Sequence, residues 1–185
     1  RVLLVSDTDV FSNDCDIECF PNESALLLRF LEWITQSDPD VIIGWSVVGF
    51  DLNFLQQGCD ALGISFTLGR KDEPVAWRTA AQGASRKYAL VHGRVVLDGI
   101  EMLRAATYTF ESFSLEFVSR SLLGECKLVE DVDARAVEIQ EMYATDRIKL
   151  AEYNLQDCKL VWDIFEKTNL LDFAIERSTL TGLDL

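Results

Sequence analysis

The sequence contains a single histidine and five cysteines, and no two of the cysteines form a CxxC pair. This scarcity disfavours both a zinc site and a disulfide framework, so the thiols are predicted to be reduced and buried. They are Cys15, Cys19, Cys59, Cys126 and Cys158. Because no histidine flanks Cys158 in sequence, we interpret that thiol as a packing residue rather than a nucleophile.

Basic residues are also scarce, with 17 Lys and Arg against 31 Asp and Glu and a net charge of −14. Phosphate affinity comes from clustered Lys and Arg, so strong unaided binding to nucleic acid is disfavoured. A nuclease is not excluded, because carboxylates can hold divalent cations that invert the local field. The least acidic stretch, 68–94, is either the surface that contacts a phosphate backbone or a solvated surface hairpin.

Long apolar runs are missing as well. None approaches the roughly 20 residues that a membrane-spanning helix needs, and the opening RVLLVSDTD lacks the features of a signal peptide. With 49% hydrophobic residues among 185, the chain can bury a core without disulfides. We therefore predict one cytoplasmic domain over residues 1–185 that has no membrane partner.

Strand and helix signals alternate along the chain, which indicates the α/β class. The predicted strands cover 1–6, 41–45 and 94–97, the last of them ending a stretch of β structure over 64–97. Two predicted helices begin at the caps Asn22 and Asp146, another contains Asp51 and ends by Gly58 or Gly63, and two more cover 101–106 and 112–123. In open α/β sheets ligands bind at the carboxyl ends of the strands, which is where the strand at 41–45 delivers Asp51.

Two acidic side chains lie in apolar surroundings on separate predicted helices. Asp51 belongs to the run VIIGWSVVGFDLNFL, and Asp157 belongs to an apolar stripe at helical spacing. The stripe consists of Leu150, Tyr153, Asp157, Leu160, Val161, Ile164 and Phe165. A buried carboxylate needs a partner, because losing water without one is costly or shifts its pKa. The two acids therefore indicate a shared divalent-metal site, the alternative being a core helix face with a satisfied acid.

Four segments in a fixed order carry a family resemblance: DPDVIIGWSVVGFDLNFL, GRVVLDGIEMLR, FSLEFVSRSLLGECK and YNLQDC. Together they resemble the 3′–5′ proofreading exonuclease domain of family B DNA polymerases, in particular the bacterial DNA polymerase II branch. The first segment resembles the family's Asn-x-x-x-Phe-Asp motif, and the last resembles its Tyr-x-x-x-Asp motif. The resemblance implies a ribonuclease-H-like mixed sheet with flanking helices and two divalent metals, Mg²⁺ or Mn²⁺, bound by four acids.

Carried onto this sequence, the resemblance makes Asp51 and Asp157 metal ligands, and it makes Tyr153 the residue that positions the attacking water. The residues assigned to substrate binding are Ser46, Phe50, Arg86 and Lys87. The implied reaction is hydrolysis of the terminal phosphodiester at a single-stranded DNA 3′ end. The implied partners are that DNA and the remaining polymerase domains of a parent chain.

The sequence departs from the family pattern in two places. The asparagine of the second motif is Ser46 here, which has a shorter side chain and lacks the amide. The family's Asp-x-Glu motif is expected upstream of Arg1, because RVLLVSD resembles the third strand of the domain. We interpret Asp16-Ile17-Glu18 as a solvated face rather than that motif. We therefore expect a partial domain that lacks its first strands and is inactive or weak. It either self-associates through unpaired strand edges or closes its sheet with a displaced strand.

Two other functions stay open. Ser46 and the absent Asp-x-Glu pair favour a non-catalytic structural or protein-contact module of the same fold. An RNA-processing exonuclease with the same acids is disfavoured only by the polymerase-like context over 38–55.

Overall fold

A computed structural model describes residues 1–8, 10–79, 87–124, 132–183 and 185. Over these ranges the chain combines short strands with helices, so the predicted α/β class is confirmed. The predictions for Arg86 and Cys126 lie outside the described residues. Across the same ranges, no helix combines the length and the apolar content needed to cross a membrane.

The described strands form three two-stranded pairs. They are β1 (Val2–Val5), β2 (Ile17–Phe20), β3 (Val41–Gly44), β4 (Ala76–Thr79), β5 (Lys87–Leu90) and β6 (Val95–Asp98). The pairs β1–β2 and β3–β6 are parallel, whereas β4–β5 is an antiparallel hairpin. The α/β arrangement is therefore present here as three separate pairs.

The helices lie between and after these strands. They are α1 (Glu23–Ser37), α2 (Asn53–Leu62), α3 (Gly99–Ala105), α4 (Leu115–Leu123), α5 (Val132–Thr145), α6 (Arg147–Thr168) and α7 (Leu170–Thr181). A π-helical turn over Val48–Leu52 leads directly into α2. The sequence patterns do not predict α5 or α7. Asn169, whose φ is 50°, interrupts the chain between α6 and α7.

Local capping signals place several helix ends where the sequence predicts them. The Asn22 side chain accepts a hydrogen bond from the amide of Ala25 at 2.9 Å, and Asp146 accepts one from the amide of Lys149 at 3.0 Å. At the carboxyl end of α4, Gly124 adopts a φ of 72°, which a glycine reaches without steric cost. Both predicted N-caps are therefore confirmed.

The first of two compact units comprises Arg1–Leu26 and Phe110–Lys167. Within it, Val2 packs in a small apolar cluster with Cys15 and Ala151. At its surface, Arg1 forms ion pairs with Asp16 at 2.7 Å and with Glu18 at 3.4 Å. This exposed pairing supports the interpretation of Asp16-Ile17-Glu18 as a solvated face.

The inward face of α6 matches the predicted apolar stripe. Its carboxyl-terminal half buries Leu160, Val161, Ile164 and Phe165. Cys158, predicted as a packing residue, is instead exposed. It follows Asp157 by one residue, and one residue rotates about 100° around a helix, which carries the thiol off the buried face. Cys15 and Cys59 are buried as predicted, and Cys19 is half-buried.

The second compact unit comprises Leu27–Thr109 and Thr168–Leu185. It contains the β3–β6 pair and the β4–β5 hairpin, and its helices α3 and α7 are in contact. Leu103 of α3 and Leu170 of α7 are both fully buried. Residues 64–75 form no strand, although the sequence predicts β structure there. Phe66 and Leu68 are buried as strand residues would be, but a 3₁₀ turn at Arg70–Asp72 interrupts the extended backbone.

Candidate active site

The parallel pair β3–β6 brings two chain segments together at its carboxyl end. Its register aligns Val41 with Val95 and ends with Gly44 opposite Asp98. The segment after Gly44 turns into the π-helical turn that carries Asp51, whereas Asp98 leads directly into α3. Asp51 is therefore at the carboxyl end of a parallel strand pair, where the sequence predicts a ligand site.

The turn after β3 depends on two unusual backbone positions. A Cβ on Gly44 would lie 2.6 Å from the Cβ of Val47, so only glycine allows that valine to fold back and become buried. Ser46 adopts a positive φ of 56°, in the left-handed region. The amide of Phe50 then donates to the Ser46 carbonyl at 2.9 Å, and the amide of Leu52 donates to the Val47 carbonyl at 2.8 Å. Such π-helical turns are frequent at functional sites.

Asp51 is more exposed than its apolar sequence context predicts. The neighbouring aromatic rings are also at the surface, Phe50 being 68% exposed and Phe54 65% exposed, whereas Leu52 is buried. The prediction that Asp51 is enclosed by apolar side chains is therefore wrong. In a π-helical turn followed by an α-helix, Leu52 takes the inward position while Phe50, Asp51 and Phe54 point outward.

The electrostatic environment of Asp51 nevertheless disfavours its charged form. Partial loss of hydration raises the pKa of the Asp51 carboxyl above its ordinary value, and the nearby negative charge of Asp98 raises it further. A hydrogen bond from the amide of Asp51 itself opposes these effects. Within the described residues, no Lys or Arg forms an ion pair with either carboxylate. This carboxylate pair therefore favours a cation.

Asp98 is the residue of this site that the sequence analysis does not assign. Its half-buried side chain accepts hydrogen bonds from the amide of Ile100 at 3.0 Å and, more weakly, from that of Glu101 at 3.5 Å. Burial raises the pKa of the Asp98 carboxyl, and backbone amide donors partly oppose that shift. A signal is present in the sequence, because Asp98 follows the apolar strand VVL and precedes Glu101 at capping-box spacing.

Two hydrogen bonds connect the β4–β5 hairpin to α2, the helix that follows Asp51. The Lys87 ammonium donates to the Asn53 side chain at 3.1 Å, and the Trp77 indole donates to Gln56 at 2.9 Å. Lys87 remains exposed, so its charge is accessible beside the outward rings of Phe50 and Phe54. The described part of the predicted substrate-binding group, Ser46, Phe50 and Lys87, therefore lies on the same compact unit as Asp51.

Two other cations of the basic stretch have a different role. Arg94, whose side chain is 2% exposed, donates to Asp38 at 2.8 Å and to the Leu68 carbonyl at 2.9 Å. Arg70 donates to Asp38 at 2.9 Å and to Asp40 at 2.5 Å. These arginines are committed to internal ion pairs, so the basic stretch offers fewer charges to a phosphate backbone than the sequence indicates.

Tyr153 and Asp157 lie on α6, in the other compact unit. Both are half-buried, and Oδ1 of Asp157 is fully shielded from solvent. They are four residues apart, so both side chains lie on the same face of the helix, as the sequence predicts. Glu152, the residue before Tyr153, accepts a hydrogen bond from Ser12 at 2.8 Å. This bond ties the amino-terminal half of α6 to the segment before β2.

The chain is similar to known proteins. Residues 5–118 match the family described as DNA polymerase family B, exonuclease domain. The chain belongs to this family. As a family B exonuclease domain, it carries the strand–turn–acid segment at Asp51 inside the matched region, whereas Tyr153 and Asp157 lie beyond it.

Individual relatives extend the similarity over almost the whole chain. DNA polymerase II of Escherichia coli K12 is 41% identical over 175 residues, which cover 95% of this chain and 22% of that protein. The DNA polymerase delta catalytic subunit of Caenorhabditis elegans is 31% identical over 179 residues, covering 91% of this chain and 16% of that subunit. A DNA polymerase of Thermococcus kodakarensis is 28% identical over 170 residues, 10% of its length. The chain thus spans about a fifth or less of these relatives.

Exonuclease domains of family B polymerases use divalent metals, so the donor chemistry of the acids decides whether a metal fits. Mg²⁺ and Mn²⁺ prefer carboxylate and water oxygens, and Asp51 offers an exposed carboxylate whose pKa is raised. The described residues include no group of three or more candidate ligands. The individual acids therefore fit a hard divalent cation, and the Asp51 carboxylate is accessible to one.

Proposed function

We propose that residues 1–185 are part of one ribonuclease-H-like 3′–5′ exonuclease domain that removes mispaired nucleotides from a DNA 3′ end. Asp51 and Asp157 are the metal ligands, and Tyr153 positions the water that attacks the terminal phosphodiester. The observation that carries this proposal is the accessible Asp51 carboxylate at the carboxyl end of β3–β6, beside a second carboxylate and without a basic partner among the described residues.

Each residue has a role that its chemistry supports. Bound divalent cations supply Lewis-acid activation of the water and stabilisation of the entering and leaving oxygens. The exposed rings of Phe50 and Phe54 are suited to stacking on unpaired bases, which every base permits regardless of sequence. Lys87 is suited to a phosphate contact, and Tyr153 lies on the same helical face as Asp157 and can hydrogen-bond the attacking water.

The proposed partners follow from the family. The substrate is a single-stranded DNA 3′ end, and the remaining domains of a polymerase supply most of the grip on DNA, because this chain carries a net charge of −14. A reducing, cytoplasmic location agrees with the free thiols of the described cysteines. Self-association through strand edges also remains a proposal, and light scattering over a range of concentrations tests it.

A second candidate function is a non-catalytic module of the same fold. It is favoured by the absence, among the described residues, of any group of three or more candidate metal ligands. Ser46, in place of the family's asparagine, points the same way. The two functions differ in one measurable property, because only the exonuclease needs its acids to bind a divalent cation.

The test is a calorimetric titration of the chain with Mn²⁺, repeated for Asp51→Ala and Asp157→Ala. We expect each substitution to weaken Mn²⁺ binding by at least about 10-fold, since each removes a ligand. Matched controls are Asp60→Ala and Asp163→Ala, which remove exposed acids from the helix that follows Asp51 (α2) and from the helix that carries Asp157 (α6) and should leave binding unchanged. Release of mononucleotides from single-stranded DNA is then measured on the same set of variants.

Each result has a definite meaning. Binding that Asp51→Ala and Asp157→Ala weaken, but the controls do not, supports the exonuclease. Binding that all four substitutions leave unchanged would overturn the assignment of the ligands. No binding at millimolar Mn²⁺ favours the non-catalytic module.

A further inference from the structure

Helix α6 contacts the β1–β2 pair through its amino-terminal half. Ala151 is fully buried and packs with Val2 and Cys15 in the small apolar cluster of this compact unit, and Leu155 packs against the same cluster. Apolar contacts are non-directional, so they keep the helix on the strands without defining how it is turned. Apolar burial alone therefore does not set the rotation of α6 about its axis.

Two hydrogen bonds to distant parts of the chain add direction to this contact. Arg147, in the first turn of α6, donates from Nη1 to the Val5 carbonyl at the end of β1, at 2.5 Å. Further along the helix, the Ser12 hydroxyl donates to Oε1 of Glu152 at 2.8 Å. Hydrogen bonds weaken steeply when their atoms move out of line, so both bonds resist rotation and sliding of the helix.

The two bonds lie at different heights and on different sides of α6. A helix rises 1.5 Å and turns 100° per residue, so Arg147 and Glu152 are about 7.5 Å apart along the axis and about 140° apart around it. Ala151 lies between them around the axis, on the side of the apolar cluster. Two directional bonds on either side of an apolar contact fix both the rotation and the axial position of the helix.

Tyr153 and Asp157 lie on a different side of the same helix. Relative to Ala151, Tyr153 is about 160° around the axis and Asp157 is about 120° around it, in the same sense. Neither residue belongs to the apolar cluster that holds α6 on the strands. Their direction therefore depends on the rotation of the whole helix, which the two hydrogen bonds fix.

The Ser12–Glu152 bond is also the feature that explains an acid at this position. The Glu152 side chain is half-buried, and removing a carboxylate from water costs free energy unless a donor replaces the water. Alanine would be a better helix former there. Ser12 is itself held in place, because its hydroxyl oxygen accepts the amide of Asp14 at 3.1 Å. The segment before β2 thus offers Glu152 a fixed donor.

We propose that Glu152 is a positioning residue: by accepting the Ser12 hydroxyl, and together with the bond from Arg147 to the end of β1, it fixes the rotation of α6. The face that this rotation orients carries Tyr153 and Asp157. The rotation itself is independent of any ligand. Its consequence for metal binding rests on the proposed function, in which Asp157 holds a divalent cation.

The test uses variants of the whole chain that remove or preserve this bond. Ser12→Ala removes the donor and Glu152→Ala removes the acceptor, whereas Glu152→Gln keeps a side-chain oxygen that can accept the hydroxyl. The matched controls are Ser114→Ala, which removes the acceptor of the Phe117 amide in the same compact unit, and Glu166→Ala, which removes an exposed glutamate from α6. Hydrogen exchange of individual amides and Mn²⁺ calorimetry are measured for each variant and for the unaltered chain.

We expect the Tyr153 and Asp157 amides to exchange at least about 10-fold faster in Ser12→Ala and Glu152→Ala, relative to the Ile164 amide in the buried half of the same helix. We expect Mn²⁺ affinity to fall by about 10- to 100-fold, the range typical of residues that orient metal ligands. Glu152→Gln and both controls should keep both quantities close to those of the unaltered chain. The reference amide separates local loosening from a general loss of stability.

The exchange results decide whether the bond holds the helix. If Ser12→Ala and Glu152→Ala leave exchange at Tyr153 and Asp157 normal, the bond does not fix α6 and the inference is overturned. The inference is also overturned if Glu152→Gln behaves like Glu152→Ala, because loss of the charge rather than loss of the bond would then be responsible.

The Mn²⁺ results separate this inference from the proposed function. If exchange accelerates as expected but Asp157→Ala leaves Mn²⁺ binding unchanged, or the unaltered chain binds none, the positioning of α6 is supported and the metal-binding role of Asp157 fails. If Asp157→Ala abolishes binding while Ser12→Ala and Glu152→Ala bind normally, the bond does not orient the ligand, and the inference is overturned.

Discussion

The two ends of the β3–β6 pair both gather aspartates, and the chain compensates their charges in opposite ways. At the amino-terminal end, Asp38 and Asp40 bind Arg70, and Arg94 also binds Asp38. At the carboxyl end, the hydrogen-bond donors that the described residues provide to Asp98 are backbone amides, and Asp51 lies nearby with an exposed side chain. One end is therefore a structural ion-pair cluster, whereas the other keeps its negative charge.

The two ends show that aspartates at the end of a strand pair can either form stabilising ion pairs or stay available to bind a cation. Charge-assisted hydrogen bonds from arginine favour the charged carboxylate, and they lower the pKa of Asp38, with Arg70 the largest cause. Neutral amides offset only part of the free energy lost when a charged carboxylate is removed from water. The pKa values of Asp51 and Asp98 are therefore raised. The carboxylates at the carboxyl end therefore still favour a nearby cation, whereas arginines already provide the positive charge at the amino-terminal end.

The largest expected effect is the loss of the buried arginine at the amino-terminal end. Arg94→Met should lower the free energy of unfolding by about 3 kcal/mol, because it removes the donor to the Leu68 and Pro39 carbonyls and one of the two arginines paired with Asp38. Urea unfolding measures this difference. The matched variant Arg70→Met removes a partner of the same Asp38 from a side chain that is 39% exposed, and it should cost clearly less stability than Arg94→Met.

Equal losses for the two arginine variants would contradict this interpretation. They would mean that the ion pair with Asp38, which both arginines form, dominates over the carbonyl contacts. The two ends would then differ in the charge of their partners alone, and the burial of Arg94 would not contribute to the difference.

The sequence predicts local features of this chain better than it predicts contacts between distant segments. The caps Asn22 and Asp146 and the terminal Gly124 were predictable because each acts within its own helix. The buried half of α6 was predictable because helical periodicity encodes a face. Asp51 was predicted as a site residue from its apolar sequence context and from its position after an apolar strand.

Other features depend on tertiary pairings that no local pattern encodes. Arg94 and Arg70 belong to a basic stretch in sequence, yet Asp38 lies more than thirty residues before Arg70 and neutralises both. Asp98 reads as an ordinary helix cap until the register places Gly44 opposite it. The exposure of Asp51 likewise follows from the π-helical turn, which shifts the helical phase by one residue relative to an α-helix.

A smaller effect should distinguish the two ends by the sign of their pH dependence. Asp38 has a lowered pKa when folded, so it contributes stability above the unfolded value of about 3.9, and this contribution is lost as the pH falls. Asp38→Asn should therefore destabilise the chain at pH 7, with the difference shrinking toward pH 3. Urea midpoints of the variant and the unaltered chain, measured from pH 7 to pH 3, test this expectation.

Asp51 should show the opposite sign. Its raised pKa means that the folded state gains stability from protonation below the unfolded value of about 3.9 and loses it as the pH rises through the folded value. Asp51→Asn should therefore stabilise the chain at pH 7 by only about 0.5 kcal/mol, since the side chain is exposed and solvent screens the repulsion. The gain should vanish near pH 4. If Asp51→Asn instead lowered the free energy of unfolding at pH 7, the charged Asp51 carboxylate would be stabilising. The two ends would then no longer differ in the sign of their electrostatic contribution.

The smallest expected effect concerns the backbone of the turn at the carboxyl end. Ser46 has a φ of 56°, a region in which asparagine and glycine are favoured over serine, and the family motif has asparagine at this position. Ser46→Asn and Ser46→Gly should each raise the free energy of unfolding by about 0.5 kcal/mol, because they relieve part of the strain of a left-handed serine. Ser65→Asn, at a loop position outside that region, serves as the control and should have no effect. If Ser46→Gly instead destabilised the chain, the serine side chain itself would be stabilising the turn. The serine in place of the family's asparagine would then be a functional substitution rather than a source of backbone strain.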